Sequence, residues 1–125
     1  MPDSWTTQWR KGLLEYCVLL VLRHGESYGY EVVESLRSTG RLDVSESTVY
    51  PILNRLYAER CLRVRMVSST EGPPRRYYTL TAAGRVRLAE MEQHWSLLDQ
   101  TVHQLKTISN KGNDDEVATG SKRGN

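Results

Sequence analysis

The chain has 125 residues, 38% of them hydrophobic and 26% charged, and its formal net charge is +2 at pH 7. This length predicts one compact domain with an appended helix or tail. The longest apolar run, residues 18–22, is far too short to span a bilayer, and residues 1–8 lack the pattern of a secretory signal. Two cysteines do not make a disulfide framework. We therefore expect a cytoplasmic protein without a membrane-spanning segment.

Two helices are predicted in the first third of the chain. Residues 9–25 are apolar nearly all round between Leu13 and Leu22, which is typical of a helix in a core or at a subunit contact. Residues 27–40 predict a second helix with Ser27 as its N-cap. The apolar positions that recur at helical spacing in this second helix are Tyr30, Val33 and Leu36.

A third helix is predicted within residues 43–61, with Ser45 as its cap. Its apolar residues recur at i, i+3, i+4 and i+7 and predict one buried stripe. These residues are Val49, Ile52, Leu53 and Leu56. The opposite face, which we call the polar face, carries Ser47, Thr48, Tyr50, Pro51, Asn54 and Arg55. Hydroxyls, an amide, an aromatic ring and an arginine suit contact with a polar, anionic surface better than simple solvation.

A basic β-hairpin follows the third helix. Residues 62–68 alternate at strand period, with apolar Leu62, Val64 and Met66 on the predicted inner face. Residues 75–80, "RRYYTL", predict the return strand, and one of its two adjacent tyrosines should point inward. Three helices and then a hairpin predict a mainly α fold with a small β-hairpin, in the order of a winged helix-turn-helix.

Positive charge is concentrated in one part of the sequence. Residues 55–87 contain eight arginines and two acidic residues, a local formal charge of +6. The basic residues are all arginine, which favours planar partners such as phosphate groups or guanine edges. The alternative is a solvated face with local ion pairs, but two carboxylates cannot neutralise eight arginines.

A long helix is predicted from Thr81, its candidate cap, with apolar residues spaced 3, 4, 3, 4 and 3 apart. These residues are Leu88, Met91, Trp95, Leu98, Val102 and Leu105. A seam this narrow requires a partner helix, either the first helix of the same chain or a second subunit. We therefore predict a DNA-binding domain at 9–80, a C-terminal dimerisation helix at 81–109 and a disordered tail at 110–125.

The pieces "YGYEVVESL", "SESTVYPILNRLYAERCL" and "GPPRRYYTLTAAG", with the Trp95 helix, resemble the PadR family of bacterial transcriptional regulators over roughly residues 9–108. The resemblance implies a homodimeric winged helix-turn-helix protein, usually a repressor, that binds palindromic operators and is often released by a small effector. Cys61 stands where family members commonly have glycine after the third helix, which questions the local cap geometry.

The predicted site is a DNA-binding surface. The third helix is expected to enter the major groove with its N-terminal half, while the hairpin arginines contact phosphates. For Tyr50, packing against the second helix is an open alternative, and for Arg75 and Arg76 it is solvation. The candidate DNA-binding residues are Ser47, Thr48, Tyr50, Pro51, Asn54, Arg55, Arg75, Arg76 and Tyr77.

Trp95 is the candidate effector residue. By resemblance, paired Trp95 rings in a dimer hold a planar aromatic compound, with Leu14, Cys17 or Val18 lining the cavity. The alternative is a tryptophan that only packs in the dimer core. Trp5 and Trp9 precede the predicted first helix and are expected to fold back onto the dimer surface.

No enzyme, cofactor or metal is predicted, because the three histidines are scattered and no Cys-x-x-Cys, Gly-rich phosphate loop or nucleophile elbow occurs. The competing function is a winged helix that serves as a protein-interaction module, with the basic wing docked on an acidic partner. Sequence-dependent affinity for duplex DNA distinguishes the two.

Overall fold

The computed structural model describes the backbone of residues 4–119 and the side chains of residues 5–108. The chain divides into two compact units, residues 1–91 and residues 92–125. The first unit contains three helices, a small sheet and the start of a fourth helix. The second unit consists, in its described part, of the remainder of that helix.

The three predicted helices are present in the first unit. They are α1 (Ser4–Arg23), α2 (Gly29–Arg37) and α3 (Glu46–Ala58). The predicted apolar stripe of α3 is buried, and Val32, Val33 and Leu36 form the buried face of α2. These faces meet the buried side of α1 in a single core that also takes in residues from the sheet.

The hairpin strands are β2 (Leu62–Val67) and β3 (Arg75–Leu80), and a short strand, β1 (Ser27–Tyr28), precedes α2. The sheet is antiparallel in the order β1-β3-β2. The register pairs Ser27 with Tyr78 on one edge of β3 and Leu62 with Leu80 on the other. The predicted hairpin is therefore confirmed, and the start of α2 is attached to it by a strand of only two residues.

The turn after α3 shows how the helix is capped without a glycine at position 61. Arg60, at φ 66°, takes the left-handed conformation, one residue earlier than the sequence suggests. The Arg60 N–H donates to the Tyr57 carbonyl (2.9 Å) and the Cys61 N–H to the Leu56 carbonyl (2.8 Å). This pair of bonds is a Schellman cap, in which the residue after the left-handed position often makes an apolar contact. Cys61 occupies that position and is buried in the core.

Helix α4 (Ala82–Thr119) begins directly on this turn. The Thr81 hydroxyl accepts a bond from the Gly84 N–H (3.0 Å) and donates one to the Arg60 carbonyl (2.7 Å). The Thr81 N–H donates to the Cys61 carbonyl (3.0 Å). A Cβ atom at Gly84 would lie 2.1 Å from the Cys61 carbonyl oxygen. Thr81 therefore caps α4 as predicted, and only glycine at position 84 allows the helix to sit this close to the turn.

The far end of α4 lies beyond the predicted boundary at residue 109. The backbone continues as helix to Thr119, through part of the segment 110–125 for which the sequence predicts disorder. Residues 110–119 contain no proline, and extending an existing helix costs less than starting one. The rest of the predicted tail, residues 120–125, lies outside the described residues.

An ion-pair network joins three helices of the first unit. The Glu15 carboxylate on α1 accepts hydrogen bonds from Arg55 on α3 and from Arg87 on α4, the latter at 3.0 Å. Arg87 also pairs with Glu59 at 3.1 Å. The Glu15 side chain is only 17% exposed, and both of its carboxylate oxygens are paired with arginines. The hydrogen bonds to Glu59 and Glu15 raise the pKa of Arg87, which stays charged.

Several local predictions are wrong because tertiary contacts decide them. The N-cap of α2 is Tyr28 rather than Ser27, because both residues are extended in β1 and the helix begins only at Gly29. Helix α1 already begins at Ser4, so Trp5 and Trp9 lie inside it, with their rings 5.5 Å apart and both exposed. Tyr30 and Met66, predicted to face the core, are exposed as well. The buried residue at the start of α2 is Gly29.

Replacing Gly84 with alanine tests the contact between α4 and the turn. The added methyl group meets a backbone carbonyl that cannot move aside easily, so we expect Gly84→Ala to lower the free energy of unfolding by about 2–3 kcal/mol. Gly12→Ala is the control, because nothing lies within 4 Å of a Cβ there. Because Gly12 lies inside α1, Gly12→Ala should instead raise the free energy of unfolding by about 0.5–1 kcal/mol. Urea unfolding that gives the two variants equal stability would contradict the contact.

Replacing Glu15 with glutamine tests the ion-pair network. The change removes the carboxylate that Arg55 and Arg87 share, and we expect a loss of about 1–2 kcal/mol in unfolding free energy. Glu34→Gln is the matched control, because the Glu34–Arg37 pair (3.0 Å) has side chains that are 49% and 43% exposed. That variant should change stability by less than about 0.5 kcal/mol. Equal losses in thermal unfolding would show that Glu15 has no special role.

Candidate nucleic-acid interface

The polar face of α3 is directed away from the core. Ser47, Thr48, Pro51, Asn54 and Arg55 are exposed, and Tyr50 is half-buried. The face is continuous because the apolar stripe takes up all the buried positions of the helix. The division between apolar and polar positions on α3 is therefore the one that the sequence predicts.

Hydroxyl groups cluster at the N-terminus of α3. Ser45 is the N-cap, and its carbonyl accepts the Thr48 and Val49 N–H groups. Its hydroxyl lies 2.9 Å from that of Ser47 and 3.2 Å from that of Thr48 rather than bonding to the backbone, so the capping contact expected of the side chain is absent. A helix N-terminus with exposed hydroxyls suits an anionic partner, because the helix dipole is positive at this end.

A groove of about 510 Å³ separates α3 from the wing, the name used here for residues 68–76. Tyr50 and Asn54 line it from α3, and Arg75 and Arg76 line it from the wing. The structure thus brings four of the predicted site residues to one concave surface. The predicted residues that do not line the groove are Ser47, Thr48, Pro51, Arg55 and Tyr77.

Tyr50 packs against the start of α2. A Cβ atom at Gly29 would lie 2.4 Å from Cε1 of the Tyr50 ring, so the ring fits only over a glycine. Burial is the main cause of the raised pKa of the Tyr50 hydroxyl. The ring therefore joins α3 to α2, which is the packing alternative of the sequence analysis, and the same residue also lines the groove.

Arg75 and Arg76 point to opposite faces of the sheet, although they are adjacent in sequence. Side chains alternate along a strand, and Tyr78, two residues after Arg76, is buried in the core. Arg76 therefore shares the face that is directed toward the helices. Arg75 also lines the groove, but it shares the outer face with Tyr77, and its guanidinium lies 4.7 Å from the Tyr28 ring centroid. Tyr78, not Tyr77, is the inward tyrosine.

The +6 charge of residues 55–87 is partly neutralised by carboxylates from outside that segment. Arg55 and Arg87 share Glu15, and Arg65 forms two hydrogen bonds with Glu26, at 2.9 and 2.7 Å. Arg55 is thus held toward α1, and its contact with the DNA backbone stays a prediction. In the described part of the chain, Arg75 and Arg76 form no ion pair.

The residues predicted for the dimer seam and the effector cavity divide between two environments. Leu88 is 4% exposed and belongs, with Leu14 and Val18, to the core of the first unit. Met91 packs against this core, and so does Cys17, which is half-buried. These positions are thus largely taken up by the chain's own packing. In the second unit, by contrast, the seam residues are about half exposed. They are Trp95, Leu98, Val102 and Leu105.

From the sequence, packing is the favoured role for Tyr28 and Tyr30, and loop stiffening is the expected role of Pro73 and Pro74. All four residues also line the groove. The signal for the two tyrosines is the Tyr-Gly-Tyr run, in which glycine marks a close approach between helices. Among the side chains of residues 5–108, no group of three or more His, Cys, Asp or Glu is placed to hold a metal ion. Among the described helices, none has the length and apolarity needed to cross a membrane.

Comparison with known proteins gives a consistent result. Residues 18–90 match the Transcriptional regulator PadR-like family. A PadR-like transcription factor from Bacteroides fragilis is 41% identical, with a TM-score of 0.70, and the match covers 82% of this chain and 99% of that one. A PadR-like transcriptional regulator from Bacillus cereus is 38% identical, with a TM-score of 0.69 and coverage of 78% and 95%.

A third structure, Bacillus subtilis PadR in complex with operator DNA, is 27% identical, with a TM-score of 0.59. This match covers 63% of the present chain and 47% of that protein. The family match spans more than half of the chain and includes all three helices of the first unit in whole or in part, together with the hairpin. The chain belongs to the PadR-like family of transcriptional regulators.

Proposed function

We propose that this protein is a sequence-specific transcriptional regulator that binds operator DNA, with α3 in the major groove and the wing on the adjacent backbone. The observation that carries the proposal is the groove in which Tyr50 and Asn54 of α3 face Arg76 of the wing. The operator complex of Bacillus subtilis PadR supports the choice of duplex DNA as the partner. The action of such a regulator on the chromosome implies a cytoplasmic location, and family membership supports a non-catalytic role.

The chemistry of α3 suits the reading of base edges. Asn54 is exposed and carries an amide that can donate and accept at once, which matches the edge of adenine in the major groove. Ser47 and Thr48 lie at the helix N-terminus, where hydroxyls reach phosphate oxygens. Arg76 supplies a cation that no carboxylate of the described residues neutralises. Base contacts then give specificity, and phosphate contacts give affinity.

The proposed active form is a homodimer. Trp95, Leu98, Val102 and Leu105 keep the heptad spacing and are about half exposed, so a second helix would bury them. In our proposal two α3 helices then bind half-sites on one face of DNA, spaced by about 10 bp or a multiple. The operator is accordingly expected to be a pseudo-palindrome.

We also propose that the protein is a repressor and that a small effector releases it from the operator. A planar aromatic compound would stack on Trp95, which is 44% exposed. Leu14 and Val18, two residues of the predicted lining, are buried in the core of the first unit. A compound that shifts the protein between forms of different operator affinity must bind one form more tightly.

Selection of the purified full-length protein against a random duplex pool, at two salt concentrations, tests the proposed function. We expect a two-fold symmetric consensus with half-sites about one helical turn apart. Enrichment without a consensus would contradict sequence-specific regulation. It would favour instead the module in which the basic wing docks on an acidic protein.

Two substitutions in the groove should impair DNA binding in different ways. Arg76→Ala should weaken binding to every duplex and reduce the salt slope by about 0.9, the value for one lost phosphate contact on B-DNA. Asn54→Ala should keep the salt slope but cost about 1–3 kcal/mol of discrimination between the consensus and its variants. Fluorescence anisotropy over a salt series measures both quantities.

The two variants serve as controls for each other, because both residues are exposed and neither substitution disturbs the core. Unchanged affinity of Arg76→Ala at every salt concentration would exclude the wing from the interface. Unchanged discrimination by Asn54→Ala would exclude this position from base reading.

A further inference from the structure

The outer face of the sheet carries a continuous stack of charged and aromatic side chains. The Arg75 guanidinium lies 4.7 Å from the Tyr28 ring centroid. The Tyr28 and Tyr77 ring centroids are 5.4 Å apart at an interplanar angle of 53°. Arg65 lies 5.3 Å from the Tyr77 ring centroid. Its guanidinium forms two hydrogen bonds with Glu26. We call these five residues the outer stack.

The strand register explains why these side chains meet. Tyr28 pairs with Tyr77 between β1 and β3, and Arg65 pairs with Tyr77 between β2 and β3. Side chains of directly paired residues lie on the same face of a sheet. Arg75 is two residues before Tyr77, and the period of two returns it to that face. The outer stack therefore crosses all three strands.

The outer stack connects the wing to the part of the fold that holds α3. Arg75 is the first residue of β3, where the wing loop ends. Tyr28 is the N-cap of α2, and its N–H donates to the Glu31 carboxylate (3.0 Å). The next residue, Gly29, is the one on which the Tyr50 ring of α3 packs. The position of Arg75 is thus linked through Tyr28 to the helix that faces the groove.

The charge at the other end of the outer stack is balanced. The hydrogen bond from Arg65 lowers the pKa of Glu26, so this carboxylate stays ionised at neutral pH. Arg65 is held by it over the Tyr77 ring. Arg75 has no carboxylate partner among the described residues, and the aromatic face of Tyr28 is its contact in the free protein. A guanidinium over a ring face is favourable, because the ring quadrupole is negative there.

We propose that Arg75 is a positioning residue for DNA binding, which holds the wing against Tyr28, and that Arg76 alone of the two arginines contacts phosphate. The inference rests on the proposed function and assigns different roles to two adjacent residues of identical chemistry. Holding the wing in place before DNA arrives reduces the ordering cost of binding. The adjacent prolines 73 and 74 restrict the loop in the same way.

The two roles predict different salt dependence. Loss of a phosphate contact reduces the slope of log K against log salt by about 0.9. Loss of a positioning contact lowers affinity equally at every salt concentration, because the number of released counterions is unchanged. From the usual strength of an exposed cation–π contact we expect a two- to five-fold loss of affinity, which is about 0.5–1 kcal/mol.

A double-mutant cycle on a duplex that carries the selected consensus tests the proposal. Arg75→Ala and Tyr28→Leu should each weaken binding roughly two- to five-fold with an unchanged salt slope. The double variant should be no weaker than either single variant, because both changes break the same contact. Tyr28→Phe keeps the ring and should restore the affinity lost in Tyr28→Leu. Arg76→Ala is the reference for a lost phosphate contact.

A smaller salt slope in Arg75→Ala, similar to that of Arg76→Ala, would overturn the proposal. That result does not require Tyr28→Leu to fold, since Arg75 is exposed and its substitution leaves the core intact. A wild-type protein without a preferred duplex would refute the proposed function itself, which is a separate result from a changed slope.

The outer stack is also measurable without DNA. In the free protein the ring current of Tyr28 should shift the side-chain proton resonances of Arg75 upfield in carbon-resolved NMR spectra. The shift should disappear in Tyr28→Leu and persist in Tyr28→Phe. Arg75 resonances at ordinary positions in the wild-type protein would show that the wing is not held this way.

Discussion

The close contact between the start of α4 and the turn after α3 is the constraint on which the DNA-binding unit depends. Gly84 lies where any side chain would collide with the Cys61 carbonyl, and Thr81 bonds to both residues of the turn. This contact fixes the C-terminal end of α3 and the first residue of β2 at one point. Helix α3, which forms one wall of the groove, and the hairpin that carries the wing therefore meet at this junction.

Periodicity in the sequence predicts the helices and the hairpin well, since each has one apolar face and each face is buried. It does not predict β1, because Ser27 and Tyr28 are too few to show any alternation. Tyr30 and Met66 fit the apolar pattern but are exposed, since the core ends before it reaches them. The left-handed Arg60 is likewise unpredictable from residue type, as glycine is the usual choice there.

The sequence predicts which residue types form the candidate site, but it does not predict how much of the positive charge there is unpaired. The count of charges along the sequence overstates the free positive charge, because Glu15 and Glu26 pair with arginines from distant segments. Glu15 and Arg87 are separated by 72 positions, and Glu26 and Arg65 by 39. Only the fold shows which cations remain available to DNA.

The proposed function requires one groove, between α3 and the wing, to bind DNA. The most direct test is an NMR titration of isotope-labelled protein with the selected duplex. We expect the largest chemical-shift changes at Tyr50, Asn54 and Arg76. Changes centred instead on Arg60 and Arg63, which line a separate groove at the C-terminal end of α3, would contradict it.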